Sequence, residues 1–281
     1  MKAKPSARPV LIAIVSDTHV GSTLGLCPPE GVRLDDDGAY TPSKAQQWTW
    51  ACWEDYWKAV AALRTQHGAD LWVVYNGDLA DGDHHGTSQI ISRNPEPAAY
   101  IADRVFGVPK ALSPARTFVV RGTEAHVGPS GATEEAWARG MKAERHPETK
   151  TWSWWHLRFD VYGVRCDFQH HGRVGLRPWT KGNTVQALAL EIFYEHAARG
   201  EAYPHLAVRS HRHTYHDTHD THPTRVIQTP AWQLKTAYAH KVVPESLADI
   251  GGIVALVHPD GRLEVTPKLY RPAMPPMWKA A

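Results

Sequence analysis

The segment YNGDLADGDHHG, residues 75–86, places three aspartates and two histidines within twelve positions. Carboxylates and imidazoles are common ligands of divalent metal ions, and histidine is also the usual proton carrier near neutral pH. Each pair alone is weak evidence, because an Asp close to a His is common by chance. Similar pairs follow four other apolar runs: Asp17 and His19, Glu124 and His126, His170 and His171, and His211 and His213.

The apolar runs that precede these pairs have the pattern of buried strands. Residues 10–15, VLIAIV, are continuously apolar and are followed at once by SDTH, which is typical of a strand that is buried on both faces. The runs DLWVVYNGD and TFVVRGTEAH repeat the pattern. Because ligands of open α/β sheets bind beyond the carboxyl ends of strands, we expect these polar groups at one edge of a sheet.

Helices are predicted between the strands. The first helix begins after a Ser43 cap and ends at Gly68, and a second lies near PAAYIADRVFGVPKAL. A third, NTVQALALEIFYEHAARG, is predicted with Asn183 as its cap and Gly200 as its end. A stripe at helical spacing in the first helix is interpreted as core packing: Trp50, Trp53, Trp57 and Val60.

The second half of the chain reads mostly as strands. After a polar stretch from 127 to 150, TWSWWHLRFDVYGVRCDFQHHG forms two strand-like runs around a YG turn and predicts a hairpin. PHLAVRSHRH, TRVIQTPAWQL and GGIVALVHPDGRLEVTPKLY read as further strands, the last pair joined by PDG. With no internal repeat or linker, we expect one domain over residues 1–281, with loosely ordered tails at 1–9 and 272–281.

Composition limits the possible partners. Across 281 residues, 31 Lys and Arg face 29 acidic residues, so the net charge of +2 gives no sign of an avid nonspecific nucleic-acid binder. A nucleic-acid substrate is possible but is not implied. Cys27, Cys52 and Cys166 lack pairing or zinc-type spacing and are given packing roles. Without a signal-like start or an apolar run long enough for a bilayer, we expect a cytoplasmic protein with no membrane partner.

Taken in order, the five polar groups resemble the motifs of the calcineurin-like metallophosphoesterase superfamily. That family's pattern is DxH, GDxxD, GNH[DE], a His before Gly or Pro, and GHxH. This chain carries DTH at 17–19, GDLAD at 77–81, RGTEAH at 121–126, HHG at 170–172 and SHRH at 210–213. The resemblance covers nearly the whole chain. It implies an α/β fold of two facing mixed β-sheets flanked by helices, an αββα sandwich.

The resemblance also implies two divalent metal ions bridged by Asp78. The first ion would be held by Asp17, His19, Asp78 and His213, and the second by Asp78, His211 and one of His170 or His171. Adjacent strand residues point to opposite faces, so spacing leaves that choice open. The donors suit Mn, which we favour, or Fe, Zn or Ni. The implied activity is hydrolysis of phosphate esters, with phosphodiesters favoured, by a metal-bridging hydroxide.

The third motif departs from the family pattern. Thr123 stands where the family has its Asn ligand, and Glu124 stands where the family has His. Either Glu124 coordinates the metal, or Thr123 contributes a hydroxyl or leaves room for water; we favour Glu124 because an anion binds a dication more strongly. His126, displaced by two positions, is expected to protonate the leaving oxygen or stabilise the transition state. The acid that usually orients that His is missing, because Ala125 is apolar.

Residues around the motifs are candidates for substrate contacts. His84 and His85 could contact phosphate or be solvated, and Arg121 and Arg212 could fork onto phosphate oxygens. Asp81 is interpreted as a loop stabiliser or a partner of a ligand His. The replacement of the Gly of GHxH by Ser210 is interpreted as a minor departure. The surplus histidines after His213 are read as a polar strand edge or a hairpin rather than a third metal site.

Three other functions remain open from the sequence. A nuclease acting on DNA or RNA would use the same ligands, with tryptophans that could stack on bases. A phosphomonoesterase would share them too. A metal-binding scaffold without catalysis is a third possibility, because the third motif is altered. The candidate stacking residues are Trp152, Trp154, Trp155 and Trp179.

Overall fold

The computed structural model describes residues 7–83, 86–172, 180–274 and 277–278, so His84, His85 and Trp179 lie outside the described residues. The strands are β1 Val10–Val15, β2 Val32–Arg33, β3 Ala39–Tyr40, β4 Asp70–Asn76, β5 Arg116–Val120, β6 Leu157–Val161, β7 Val164–Phe168, β8 Leu206–Arg209, β9 His216–Asp217, β10 Arg225–Gln228, β11 Ile250–Val257 and β12 Leu263–Tyr270. The α-helices are α1 Lys44–His67, α2 Pro95–Lys110, α3 Glu124–Val127, α4 Ala132–Met141, α5 Lys181–Ala198 and α6 Ala237–Val242.

Two five-stranded sheets form the centre of the fold. The first sheet has the order β12-β11-β1-β4-β5, in which β1, β4 and β5 are parallel and β11 and β12 are antiparallel. The second sheet has the order β6-β7-β8-β10-β9, in which β7, β8 and β10 are parallel and the two edge strands are antiparallel. Both sheets are therefore mixed, as expected.

Strand β1 shows why the sheets face each other. Its alternate residues Ile12 and Ile14 join a buried cluster with Phe168 and Val208 of the second sheet. The residues between them, Leu11, Ala13 and Val15, join a different cluster with helices α1 and α2. Because side chains alternate across a strand, a strand covered on both faces must be apolar throughout. Strand β1 is covered on both faces, which explains why the run VLIAIV is apolar throughout.

Helices cover the outer face of each sheet. Helix α1 packs on the first sheet, and the Tyr56 hydroxyl donates to the Ile253 carbonyl at 2.8 Å. On the other side, Val185 and Ala189 of α5 pack on Ala207 and Val226 of the second sheet. The layers are thus helix, sheet, sheet, helix, which confirms the predicted αββα class. Cys27, Cys52 and Cys166 are buried free thiols, which fits their expected packing roles.

Some of the predicted helix caps are confirmed and one is wrong. Ser43 caps α1 by accepting from the Gln46 amide, and Gly68 ends it in a left-handed conformation, both as predicted. Helix α5 begins at Lys181 with Thr180 as its cap, so the prediction of Asn183 was wrong by three residues. Helix α4 lies inside the stretch read only as polar.

The hairpin also begins later than predicted. Strand β6 starts at Leu157, and residues 151–156 contribute only an isolated bridge, between Trp154 and Val120. In the described part of the chain, the helices are all too short or too polar to cross a lipid bilayer.

Candidate metal centre

The parallel strands of both sheets bring their carboxyl ends to one place. In the first sheet, Asp17 follows β1 by two residues, Asp78 follows β4 by two, and Thr123 follows β5 by three. In the second sheet, His170 follows β7 by two residues and His211 follows β8 by two. The predicted motif residues are thus collected from loops that are fixed by neighbouring strands.

Several of these loop residues have unusual backbone conformations. A non-glycine residue with positive φ costs on the order of 1–3 kcal/mol and persists only where the surroundings impose it, most often at functional sites. Such strain in five motif residues indicates that the loops are held for a purpose other than stability. The five are Asp17 (φ 54), His19 (φ 43), Asp78 (φ 53), His211 (φ 75) and His213 (φ 54).

The first donor group consists of Asp17, His19 and His213, whose ligand atoms lie within 4.8 Å of one another. His213 Nε2 is 3.3 Å from Asp17 Oδ1, and His19 Nε2 is 3.9 Å from the same oxygen. Both Asp17 Oδ1 and His19 Nε2 are buried without a hydrogen-bond partner among the described residues. Buried polar atoms normally find a partner, so these unsatisfied atoms fit a site that a cation completes.

The second donor group consists of His170, His171 and His211, again with ligand atoms within 4.8 Å of one another. His170 Nδ1 donates to the Asn76 carbonyl at 2.7 Å, which directs Nε2 towards Asp78. This Nε2 lies 2.9 Å from Asp78 Oδ2. A backbone hydrogen bond of this kind is the usual way in which a ligand imidazole is oriented.

A third set of atoms joins the two donor groups. Asp17, Asp78 and His170 are all buried, and their ligand atoms also lie within 4.8 Å of one another. Two carboxylates this close and this deep are costly without positive charge nearby. Carboxylate and imidazole donors in two adjoining groups match the ligands that borderline divalent ions prefer. The residues therefore fit two metal ions.

The pKa shifts of the buried groups show that the cluster favours positive charge. Burial lowers the pKa of His170, but the adjacent Asp78 carboxylate outweighs burial and raises the pKa to about 10. Burial raises the pKa of Asp17, but its contacts with His213 and His170 outweigh that effect and hold the pKa at about 2. The two carboxylates thus favour a positive charge at the position of the His170 ring.

Two glycines allow the donors to come this close. A Cβ on Gly77, which has a φ of 87°, would lie 2.4 Å from His170 Nδ1. A Cβ on Gly122 would lie 2.2 Å from both the backbone nitrogen and Oδ1 of Asp78. Any side chain at either position would displace a donor, which explains the glycine that precedes Asp78 and the glycine at the third strand end.

In the altered third motif, Thr123 rather than Glu124 lies beside the donor groups. The Thr123 amide donates to Asp78 Oδ1 at 2.6 Å, and the Thr123 hydroxyl donates to Asp78 Oδ2 at 3.2 Å. Glu124 is exposed, belongs to none of the donor groups, and accepts from the Ser130 amide at 2.9 Å. Our preference for Glu124 as the ligand is thus not supported. Thr123 is the extended N-cap of α3 and faces the strand ends, whereas the Glu124 carboxylate closes the turn that follows.

His126 is oriented by an acid that the sequence reasoning did not connect with it. His126 Nδ1 lies 2.8 Å from Asp81 Oδ1, and Asp81 Oδ2 accepts from Gln233 Nε2 at 3.2 Å. Asp81 Oδ2 also lies 3.8 Å from His19 Nδ1. Burial lowers the pKa of His126, but the hydrogen bond to Asp81 outweighs burial and the pKa is raised. Asp81 therefore replaces the acid missing at Ala125.

The predicted substrate residues differ in their surroundings. Arg121 is buried, donates from Nε to Ser153 Oγ at 2.8 Å and pairs with Glu135 at 3.7 Å. Its expected contact with phosphate is not supported, because other side chains already hold the guanidinium. Arg212 lies between the donors His211 and His213 in the chain, and its buried Nε has no hydrogen-bond partner among the described residues. The predicted contacts of His84 and His85 fall outside the described residues.

Glu134 is a buried residue that the sequence reasoning missed. Its Oε1 accepts from the Leu79 amide at 3.0 Å, and its Oε2 accepts from the Gly122 amide at 2.7 Å. Burial and the charge of Asp78 raise the pKa of Glu134 to about 7. One carboxylate thus ties the loop after β4 to the loop after β5. The helical spacing of Trp137 and Met141 could have revealed α4, the helix that carries this residue.

Ser210, which the sequence suggested to be a minor replacement, forms hydrogen bonds between the two sheets. It is fully buried, and its hydroxyl accepts from Asn76 Nδ2 at 2.6 Å and from Thr229 Oγ1 at 2.8 Å. Thr229 in turn is 2.7 Å from Ser16 Oγ. This chain of polar groups connects both sheets directly beneath the donor groups. Of the histidines after His213, His216 lies on the edge strand β9, and His219 and His222 belong to none of the donor groups found in the described residues.

Comparison with known proteins gives structural matches only. No family model and no curated protein matches the sequence. A dimetal phosphatase from Danio rerio has a similar structure, with 11% identity, a TM-score of 0.45, and coverage of 93% of this chain and 96% of that one. A 5'-nucleotidase precursor from Thermus thermophilus has 13% identity, a TM-score of 0.42, and coverage of 93% and 54%. This chain therefore spans about half of that nucleotidase.

Proposed function

We propose that this protein is a metal-dependent phosphoesterase that hydrolyses phosphate esters with two divalent ions. The observation that carries the proposal is the pair of adjoining donor groups joined through the buried carboxylates of Asp17 and Asp78. Adjoining two-metal sites are typical of enzymes that cleave phosphate esters. The order of the five sequence motifs, which resembles that of the calcineurin-like metallophosphoesterases, supports the same chemistry.

The ligands divide between the two ions according to the donor groups. Asp17, His19 and His213 would hold the first ion, His170 and His211 would hold the second, and Asp78 would contribute to both sites. When bound, the two ions polarise the phosphoryl oxygens and lower the pKa of a water at the site, which supplies the nucleophile. Manganese is the ion that we favour for the first position, where carboxylates contribute half of the protein donors.

The protein's own side chains complete the reaction. Asp81 fixes the tautomer of His126 with the proton on Nδ1 when the ring is neutral, and raises its pKa so that it can carry a second proton on Nε2. His126 donates that proton to the leaving oxygen as the ester bond breaks. Arg212 contributes a fixed positive charge for a phosphate oxygen.

The charge near the centre favours a phosphodiester. Arg121 is already paired with Glu135, so Arg212 is the predicted phosphate-binding arginine with an unpartnered nitrogen in the described residues. A diester carries one negative charge and a monoester carries nearly two, so the diester needs fewer cationic contacts. We therefore favour phosphodiesters over phosphomonoesters.

A nuclease is the second candidate because of one exposed aromatic residue. Trp155 is 53% exposed, and the Arg121 guanidinium lies 5.2 Å from the centre of its ring. Such a supported ring can stack on an unpaired base. Trp154 is less suited, because its indole nitrogen donates to the Glu144 carbonyl.

Hydrolysis of three substrates tests the proposal. The purified protein is loaded with Mn²⁺ and assayed on bis-p-nitrophenyl phosphate, p-nitrophenyl phosphate and single-stranded DNA, with Asp78→Asn as the matched control. We expect the diester to be cleaved faster than the monoester and the control to be inactive. Equal rates for the wild type and Asp78→Asn on every substrate would exclude the proposed phosphoesterase activity. If the wild type cleaves DNA fast and the Trp155→Ala variant cleaves it more slowly, the protein is a nuclease.

A further inference from the structure

The second donor group contains one imidazole more than the proposed function uses. His170, His171 and His211 all bring a ring nitrogen within 4.8 Å of the others. At the same position the third motif lacks an amide ligand, because Thr123 has only a hydroxyl. The surplus donor and the missing donor therefore occur in the same group of residues.

Distances around Thr123 indicate where a cation would lie. Its Oγ1 is 3.1 Å from His171 Nε2, 3.2 Å from His211 Nδ1 and 3.2 Å from Asp78 Oδ2. In a tetrahedral site with metal–nitrogen bonds of about 2.0 Å, neighbouring ligand atoms are about 3.3 Å apart. The Thr123 hydroxyl is thus separated from each of these three donor atoms by about the distance between neighbouring ligands, and His211 Nδ1 lies 3.7 Å from Asp78 Oδ2. The His171 imidazole binds a borderline divalent ion more strongly than the neutral Thr123 hydroxyl does.

The backbone explains how two adjacent histidines can face one ion. Neighbouring residues of a strand point to opposite faces, but β7 ends at Phe168, and His170 and His171 lie beyond it. Their rings are 5.0 Å apart at an angle of 89°, and the rings of His171 and His211 are 4.9 Å apart. The alternation that separates strand neighbours does not apply here, so both rings reach the same group.

We propose that His171 is a further ligand of the second metal ion and replaces the amide that Thr123 cannot provide. The second site then has three imidazoles and the shared Asp78 carboxylate, whereas the first has two imidazoles and two carboxylates. A nitrogen-rich site discriminates more strongly in favour of Zn²⁺ or Co²⁺ over Mn²⁺. This inference rests on the proposed two-metal function and assigns different ions to its two positions.

Metal titration of the apoprotein tests the assignment without an activity assay. Zn²⁺ and Mn²⁺ are titrated calorimetrically, and Co²⁺ is followed by its visible absorption, which reports the number and kind of ligands. His171→Ala is compared with His219→Ala, which removes an exposed imidazole outside the donor groups. Since loss of a residue that merely supports a ligand costs about 10–100-fold in affinity, we expect His171→Ala to weaken the second Zn²⁺ site by about 100-fold or more. The first site and the His219→Ala variant should match the wild type.

A rescue variant separates a ligand from a residue that only shapes the site. Thr123→Asn places an amide oxygen at the third strand end, so the double variant Thr123→Asn with His171→Ala should regain most of the lost Zn²⁺ affinity. If His171→Ala binds two Zn²⁺ ions as tightly as the wild type, His171 is not a ligand, and the two-metal function still stands. If the wild type binds fewer than two ions, both the inference and the proposed function are overturned.

Discussion

The Asp81 carboxylate lies 2.8 Å from His126 Nδ1, although forty-five residues separate the two in the chain. This contact orients an imidazole that has moved two positions from its place in the related motif. It also links that imidazole to His19 of the first donor group, whose Nδ1 lies 3.8 Å from the same carboxyl group. One carboxylate thus contacts both the proposed proton donor and a proposed metal ligand.

Replacement of His126 should slow catalysis without loss of metal. A general acid contributes about 10²–10⁴-fold to a rate, so His126→Ala should lower kcat by that order while two ions remain bound. The loss should be smaller for an ester with a good leaving group, such as p-nitrophenolate, than for an alkyl ester. Steady-state kinetics on the two esters, with metal content measured in parallel, check this. An equal loss on both esters would contradict a role in leaving-group protonation.

Removal of the Asp81 charge should change the pH dependence of the reaction. The hydrogen bond to Asp81 raises the pKa of His126, and an acid catalyst must be protonated, so the rate falls as pH rises through that pKa. In Asp81→Asn the raising effect is lost, and the alkaline limb of the kcat profile should move to lower pH. A limb that stays in place, or moves to higher pH, would show that another group is the acid.

Glu134 should control both stability and metal affinity. An amide in its place cannot accept from both the Leu79 and Gly122 amides, and an unsatisfied buried group costs about 1–3 kcal/mol. We expect Glu134→Gln to lower the free energy of unfolding by that amount and to weaken metal binding about tenfold, as supporting residues do. Chemical denaturation and calorimetric titration measure the two effects. The control is Glu148→Gln, an exposed site that should change neither.

Ser210 should stabilise the join between the sheets. Ser210→Ala removes the hydroxyl that accepts from Asn76 and Thr229, which should lower the free energy of unfolding by about 1–3 kcal/mol. Denaturant unfolding of the apoprotein measures this, with the exposed Ser88→Ala as the matched control. A variant as stable as the wild type would show that the hydrogen bonds to Ser210 do not contribute to the free energy of unfolding.

The sequence predicted the parts of the site that depend on strand order. Asp17 and Asp78 follow apolar runs directly, and parallel strands must bring such residues together. The sequence could not predict contacts that depend on loop conformation. Asp81 reaches His126, Thr123 displaces Glu124, and His171 turns towards His211, because the chain has left the strands and no longer alternates.

Helix α4 shows a second limit of the sequence. Its apolar residues are mostly small and are interrupted by polar ones, so the stretch from 127 to 150 had no continuous apolar run to mark an element. The Glu134 carboxylate accepts from two backbone amides, which belong to loops 55 and 12 residues away in the chain. A buried carboxylate of this kind becomes visible only when the strand ends are in place.

The metal content of the wild type and of Asp78→Asn tests the central claim most directly. Both proteins are stripped of metal, loaded with Zn²⁺ or Mn²⁺, freed of excess ions and measured by elemental analysis, with thermal unfolding as a check of the fold. Because Asp78 is the ligand that we propose for both ions, we predict two ions per wild-type chain and fewer than one per Asp78→Asn chain. A wild type that holds at most one ion, or an Asp78→Asn variant that keeps two, would contradict the two-metal centre.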